Sequence, residues 1–560
     1  MNDIFVLGEN KLYKSDNHPH LRMASPALLK KYKITQKVKN GELSLYDVNK
    51  EDIISPRAFT AFSNIMLRQS KLYEKILPTI QSRTSTVPST IQTASKKNIV
   101  VLLVEFNDQP RNLEKAHFEE ILFKKNGNSV YDYFQEVSYG QLFIKGEVSN
   151  WFKADGSYVD YLDSYVDQNG QAHGDVLHMP QAKKLVQETI SKALKTNKIN
   201  FSDYSNQTGV LDTVIIVFAG LGGNRPDGTF NSGGNTYINI YPHRGSNLYL
   251  NDVADYQKVN NYILTHELPK NDIGGYCHEI AHTLGLPDLY CALKIPNGGS
   301  SSGTVSSVVG GWCLMGCGDY NNGGATPSHL SAWCKIQLGW ANPQIITGKP
   351  QNYEIDAASD SSNNFYKITV PENFGSGAGE EYFLLENRQK QKFDEKLPGS
   401  GLLIWHVNEN YWHDKDPNQD LNNPFLTLVQ PDGLMELEKP AVKYVNGVQV
   451  TNRDCVGDLG DVFPFGNNKS FTNTSQPSSK TQRGNNSCVS ITNISDSDKV
   501  MTAIIGLTCQ DGPIITQKKD LEQIEELKVK LRKEKAVGRY QEGYISGYIS
   551  GYKEAFKLEK

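Results

Sequence analysis

The chain has 560 residues, 38% of them hydrophobic, which is enough for two or three domains with substantial cores. Its 58 Lys and Arg stand against 62 Asp and Glu, a net charge of −4, so it offers no broad basic surface for a phosphate backbone, and nucleic acid is not expected as a partner. No apolar run approaches the eighteen or so residues that cross a bilayer, and no transmembrane segment is expected.

In chain order, residues 1–96 read as a polar, mostly helical segment that ends in a Ser/Thr-rich linker, Ser82 to Ser95. Residues 97–345 read as an α/β unit. The run VVLLVEF (100–106) has the length and β-branching of a buried strand; a helix follows near Met179 to Leu194, and a second strand over Thr213 to Phe218. Residues 346–510 change to short alternating runs, among them YEIDA, FYKITV, EYFLLEN, GLLIWHV and VMTAIIGL, punctuated by Gly, Pro and Asn, the pattern of an antiparallel β-rich domain. Residues 511–560 read as a charged helical tail with Leu521, Ile524, Leu527 and Leu531 on one side. There Gly543, Gly547 and Gly551 recur every four residues, so self-association through the tail competes with a loosely ordered appendage.

The chemistry is concentrated in His278-Glu279-Ile280-Ala281-His282, followed by Thr283-Leu284-Gly285-Leu286-Pro287-Asp288. On a helix, His278 and His282 project from one face and can grip one divalent ion, while Glu279 beside them stays free to move protons. Zinc lowers the pKa of bound water to about 7, so a carboxylate at this place serves as the general base of peptide hydrolysis. Gly285 can take positive φ and stop the helix, and Pro287 prevents its continuation. The chain then turns and can bring Asp288 back as a third ligand; its alternative role is a turn residue.

The segments GGYCHEIAHTLGLPDLY, GGWCLMGCGDYNNGG and PSHLSAWCKIQLGW resemble the M6 family of metallopeptidases, the immune inhibitor A group, which is related to the metzincins. Upstream, NIVVLLVEFND, VYDYFQEVSYGQLFIKGEVSNWF and VIIVFAGLGGN are similar to its early segments, and downstream EYFLLENRQ and LPGSGLLIWHVNE to its late ones, so the resemblance covers about residues 97–508. It implies an α+β architecture: a metzincin-like zinc peptidase domain and then an antiparallel β-rich domain, between the helical N-terminal segment and the helical tail. It implies zinc held by His278, His282 and Asp288, Glu279 as general base, Met315 as an apolar floor beneath the metal, and a protein or peptide substrate.

On the same resemblance, residues 1–96 are expected to be propeptide-like, and the setting extracellular, although the first thirty residues lack the apolar core of a signal peptide. No cysteine precedes Cys277, which excludes a cysteine-to-zinc latency device in that segment. Where the family often has Asp, this chain has Cys291.

Tyr290 and Tyr320 are candidate donors to an oxyanion, against the commoner role of anchored tyrosines. His243 reads as a residue near the cleft rather than a ligand, and His329 and Trp333 as part of a helix behind Met315. Pairs among Cys277, Cys291, Cys313, Cys317 and Cys334 could form disulfides around the motif. The acidic loop DCVGDLGDV (454–462) could hold calcium, against a plain solvated loop. The second functional reading is an inactive relative that serves as a protein-binding or adhesion module.

Overall fold

The computed structural model describes residues 4–8, 11–15 and 95–509, apart from 170–171, 175–178, 197–198, 206–208, 223–228, 251–257, 268–271, 294–303, 372–380, 413–416, 419, 440–441, 446–447 and 452–455. Two compact units are distinguished, Met1–Gln92 with Lys519–Lys560, and Thr93–Lys518. In the first, Ile4–Gly8 and Lys11–Ser15 pair as antiparallel strands where the sequence suggests helix. The rest of the expected N-terminal helical segment and the whole tail, with its glycine repeat, lie outside the described residues.

The second unit opens on a five-stranded sheet formed by β1 (Ser95–Glu105), β2 (Leu142–Lys153), β3 (Val210–Phe218), β4 (His243–Tyr249) and β5 (Lys258–His266), in the order β4-β5-β3-β1-β2. All neighbours are parallel except β4, which runs antiparallel to β5 at the edge. In β1, Ile99, Val101 and Leu103 enter one hydrophobic cluster and Val100, Leu102 and Val104 another. Side chains alternate across a strand, so a continuous apolar run is what a sheet covered on both faces requires.

The first cluster is completed by α1 (Lys115–Phe123), α2 (Val130–Val137) and α4 (Gly274–Thr283), and the second by α3 (Pro180–Thr196), which contributes Leu185, Val186, Ile190 and Leu194 at helical spacing. Both expected strands and the expected α3 are present; the strands begin earlier than expected, at Ser95 and Val210, and α3 runs on to Thr196.

Beyond the short helix α5 (Ala332–Gln337), strands β6 (Gln344–Ile346), β7 (Gln351–Asp356), β8 (Tyr366–Thr369), β9 (Glu381–Arg388), β10 (Gly401–Asn408), β11 (Leu426–Leu428), β12 (Val489–Thr492) and β13 (Val500–Leu507) form two sheets. Their orders are β6-β8-β9-β10-β11 and β7-β13-β12. Pairing is antiparallel, as the alternating runs suggest, except between β6 and β8.

Every residue of β9 and β10 is buried. Phe383, Leu385, Leu402 and Ile404 face the second sheet, while Tyr382, Leu384, Leu403, Trp405 and Val407 join the cluster that holds α4. We propose the boundary near residue 345 as a change of sheet, since one hydrophobic cluster runs across it.

Cys488 and Cys509 form a disulfide. The expectation of pairing around the motif is corrected at its centre: Cys277, Cys313 and Cys334 are buried thiols, and the sulfurs of Cys313 and Cys334 stand 3.9 Å apart. Packing into the cluster under α4 already orders these residues without a covalent staple.

Candidate metal centre

Helix α4 is positioned by close approach at both ends. At its start, a Cβ on Gly274 would lie 1.9 Å from the Asp319 carbonyl oxygen, so only glycine lets the helix sit there. At its end Gly285 has φ +100°, the Gly285 amide donates to the His282 carbonyl (3.0 Å) and the Leu286 amide to the Ala281 carbonyl (3.3 Å). This pair of bonds is a Schellman stop, and it turns the chain so that Asp288 comes back beside the histidines.

The imidazoles of His278 and His282 stand edge to face, with ring centroids 4.7 Å apart. His278 Nδ1 lies 3.0 Å from the Leu314 carbonyl oxygen, and His282 Nδ1 lies 2.8 Å from that of Leu286. A carbonyl only accepts, so each Nδ1 carries a proton, and each Nε2 is left to face Asp288 and to take either a second proton or a cation. These nitrogens point at one atom, Asp288 Oδ1, 3.0 Å from His278 and 3.3 Å from His282.

A tetrahedral ion with bonds of about 2.0–2.1 Å separates its donors by roughly 3.4 Å. The three donor atoms, all within 4.8 Å of one another, therefore fit a single zinc-sized ion with little rearrangement. Burial opposes a charge on His278, but the Asp288 hydrogen bond and charge prevail and raise its pKa to about 10. Asp288 is likewise buried, and the two imidazoles hold its carboxyl far below the usual range.

Glu279 projects from the same helix and is only partly buried, as are His282 and Asp288. Met315 is fully buried, and its carbonyl accepts from the Leu289 amide at 2.8 Å, so one short turn anchors both His278 and the segment carrying Asp288. Replacing Met315 with Ala is expected to cost about 2–5 kcal/mol, and with Leu less than about 1.5, in urea unfolding of the metal-loaded protein. A drop in kcat larger than the stability change can explain would contradict a purely supporting role.

Tyr290 stacks on His278, with centroids 6.2 Å apart and planes at 23°. Tyr320 is 53% exposed. His243 is not among the converging groups: its Nδ1 meets the Tyr241 carbonyl (2.8 Å), its Nε2 the Tyr262 hydroxyl (3.3 Å), and burial lowers its pKa. His329 is fully buried ahead of α5, its Nε2 is 2.6 Å from Glu136 Oε1, and its carbonyl accepts from the Leu314 amide. Trp333 lies in α5 as expected.

Three contributors escape the sequence reading. Tyr241 is 50% exposed, and burial together with the charges of Asp288 and Glu279 raises its pKa. Arg244 Nη1 donates to the His282 carbonyl at 3.1 Å and ties edge strand β4 to α4. Asp319 is lifted to about 7 by burial, with Asp272 and Glu279 adding to it against His278. The only cue to the first two was their place in INIYPHRG beside His243.

Residues 87–341 match the family model described as immune inhibitor A peptidase M6, catalytic domain. Over this stretch, which is less than half of the chain, the sequence is similar to the catalytic domain of M6 peptidases. It is 22% identical over 338 residues to the pre-pro-metalloprotease PrtV of Vibrio cholerae, covering 49% of this chain and 34% of that protein. It is 23% identical over 325 residues to immune inhibitor A of Bacillus thuringiensis subsp. alesti, covering 49% of this chain and 45% of that relative. The chain therefore spans less than half the length of these curated relatives. Among the described residues no helix is long and apolar enough to cross a membrane.

Proposed function

We propose that this chain is a zinc-dependent endopeptidase that hydrolyses peptide bonds in proteins. The observation that carries the reading is the meeting of two imidazole lone pairs and one carboxylate oxygen in a partly open site, a donor set suited to catalytic zinc. When bound, the ion supplies a Lewis acid that polarises the scissile carbonyl and acidifies water. Glu279 takes the proton from the attacking water and returns it to the leaving amine. Tyr241, whose phenol feels the charges of Asp288 and Glu279, is the donor assigned to the developing oxyanion in this reading.

Substrate lies along β4, the sheet edge beside α4, where an extended peptide adds a strand through backbone hydrogen bonds. By likeness to the pre-pro-metalloprotease of Vibrio cholerae, we assign an extracellular setting and a removable role to residues 1–96.

The test is a casein-cleavage assay on the full chain after chelation and after zinc is restored, with zinc counted per chain. One zinc per chain and hydrolysis only in the zinc-loaded sample are expected, and His282→Ala is expected to lose both. Hydrolysis indifferent to chelation or to His282→Ala refutes the proposal. A folded, zinc-loaded chain that cleaves nothing supports the binding-module reading instead.

A further inference from the structure

Away from the histidines, oxygens of Asp432, Glu436 and Asp458 lie within 4.8 Å of one another. The segment 430–438 and the loop at 458–461 are held face to face: the Asp432 amide donates to the Gly460 carbonyl at 3.2 Å, and Gly460 has no side chain to keep Asp432 Oδ2 away. Glu436 is only 4% exposed, and both its carboxylate oxygens are shut off from solvent and accept no hydrogen bond from another residue. A buried carboxylate without donors is costly unless a cation satisfies it. Burial, and then the charges of Asp432 and Asp458, raise the pKa of Glu436, and Lys439 opposes this only in part.

Asp461 adds a fourth acidic group. It is fully buried, and its Oδ2 accepts from the Trp312 indole (2.9 Å) and from the Asp458 amide (2.9 Å). Its Oδ1 accepts nothing.

We propose that Asp432, Glu436 and Asp458 bind a calcium ion that braces the turn from Trp312 to Met315. An all-carboxylate donor set is hard, which suits calcium over zinc, and donors up to 4.8 Å apart match bonds of about 2.4 Å at octahedral or wider angles. Asp458 is exposed and gives the ion a way in. The brace runs through Asp461 to the Trp312 indole, and from that turn the Leu314 and Met315 carbonyls reach His278 and Leu289. The inference stands on these contacts and does not require the peptidase reading.

The test uses the full chain, saturated with zinc and stripped of calcium. Calcium chloride is added while the melting temperature is followed, and terbium luminescence sensitised by tryptophan is read in parallel. At a hundredfold excess over Kd the rise is expected to be about 3 °C for a unit of this size. Glu436→Gln is expected to abolish the rise and to melt, without calcium, at or above the parent temperature, because it removes an uncompensated charge. Asp458→Asn, at an exposed position, is expected to raise the calcium concentration needed at least tenfold. A parent that ignores calcium and terbium, or a Glu436→Gln variant that responds in full, overturns the proposal. A rise of equal size with magnesium overturns the assignment to calcium.

Discussion

Glu279→Gln is expected to lower kcat by about 10²- to 10⁴-fold while the protein keeps its zinc. The change preserves shape and removes only the carboxylate proposed as proton acceptor, and Glu279 is not among the three converging donors. Helix α4 is held by Gly274 at one end and Gly285 at the other, so the substitution leaves its placement untouched. The expected signature is a loss in kcat, little change in KM, and one zinc per chain by elemental analysis. Activity within a factor of ten of the parent would remove Glu279 from the reaction. Lost zinc would instead make it a metal-positioning group.

The second large effect is expected behind the site. Arg388 and Asp394 are both buried and joined twice, Nε to Oδ2 at 2.7 Å and Nη2 to Oδ1 at 2.6 Å. Arg388 Nη1 also donates to the Trp312 carbonyl at 3.1 Å, and Asp394 Oδ1 accepts from the His329 amide at 2.9 Å. The pair thus links β9 to Trp312, where the turn that carries Met315 begins, and to His329, whose carbonyl accepts from the Leu314 amide of that turn.

Asp394→Ala leaves a guanidinium buried beside a single remaining carboxylate, Glu386, and is expected to cost about 3–5 kcal/mol in urea unfolding. Burial works against the Asp394 charge, but Arg388 and His329 prevail and hold its pKa at about 2. Because that lies below the unfolded value of about 3.9, its contribution is present above roughly pH 4 and is lost as the pH falls toward 2. An Asp394→Ala protein whose acid transition and urea midpoint match the parent's would show that the pair is stabilising nothing. Arg388→Met combined with Asp394→Leu should recover part of the loss, since the guanidinium stripped of its main partner is then gone, while Glu386 keeps the Ala332 amide and the Trp405 indole as donors.

How much of the site was legible follows from the range of the interactions. His278, Glu279 and His282 stand within five residues, and helical periodicity alone puts them on neighbouring positions. Gly285 and Pro287 announce the turn that returns Asp288. Arg244 reaches α4 from a sheet edge more than thirty residues upstream, and no local pattern marks such a contact. The acidic run 454–462 makes Asp458 conspicuous in the sequence, but Asp432 and Glu436, whose oxygens meet it, come from a different segment.

By itself the sequence determined the helix with its two histidines and glutamate, the doubly covered strand β1 and the antiparallel strands of the β-rich part, because periodicity and turn residues act over a few positions. Only the tertiary structure decided which nitrogen of each imidazole is free, since that depends on the Leu314 and Leu286 carbonyls. It also decided that β9 and β10 share a core with α4, and that carboxylates far apart in the chain meet. Those outcomes depend on packing and on the desolvation of polar groups by distant segments, energies that no short stretch of sequence contains.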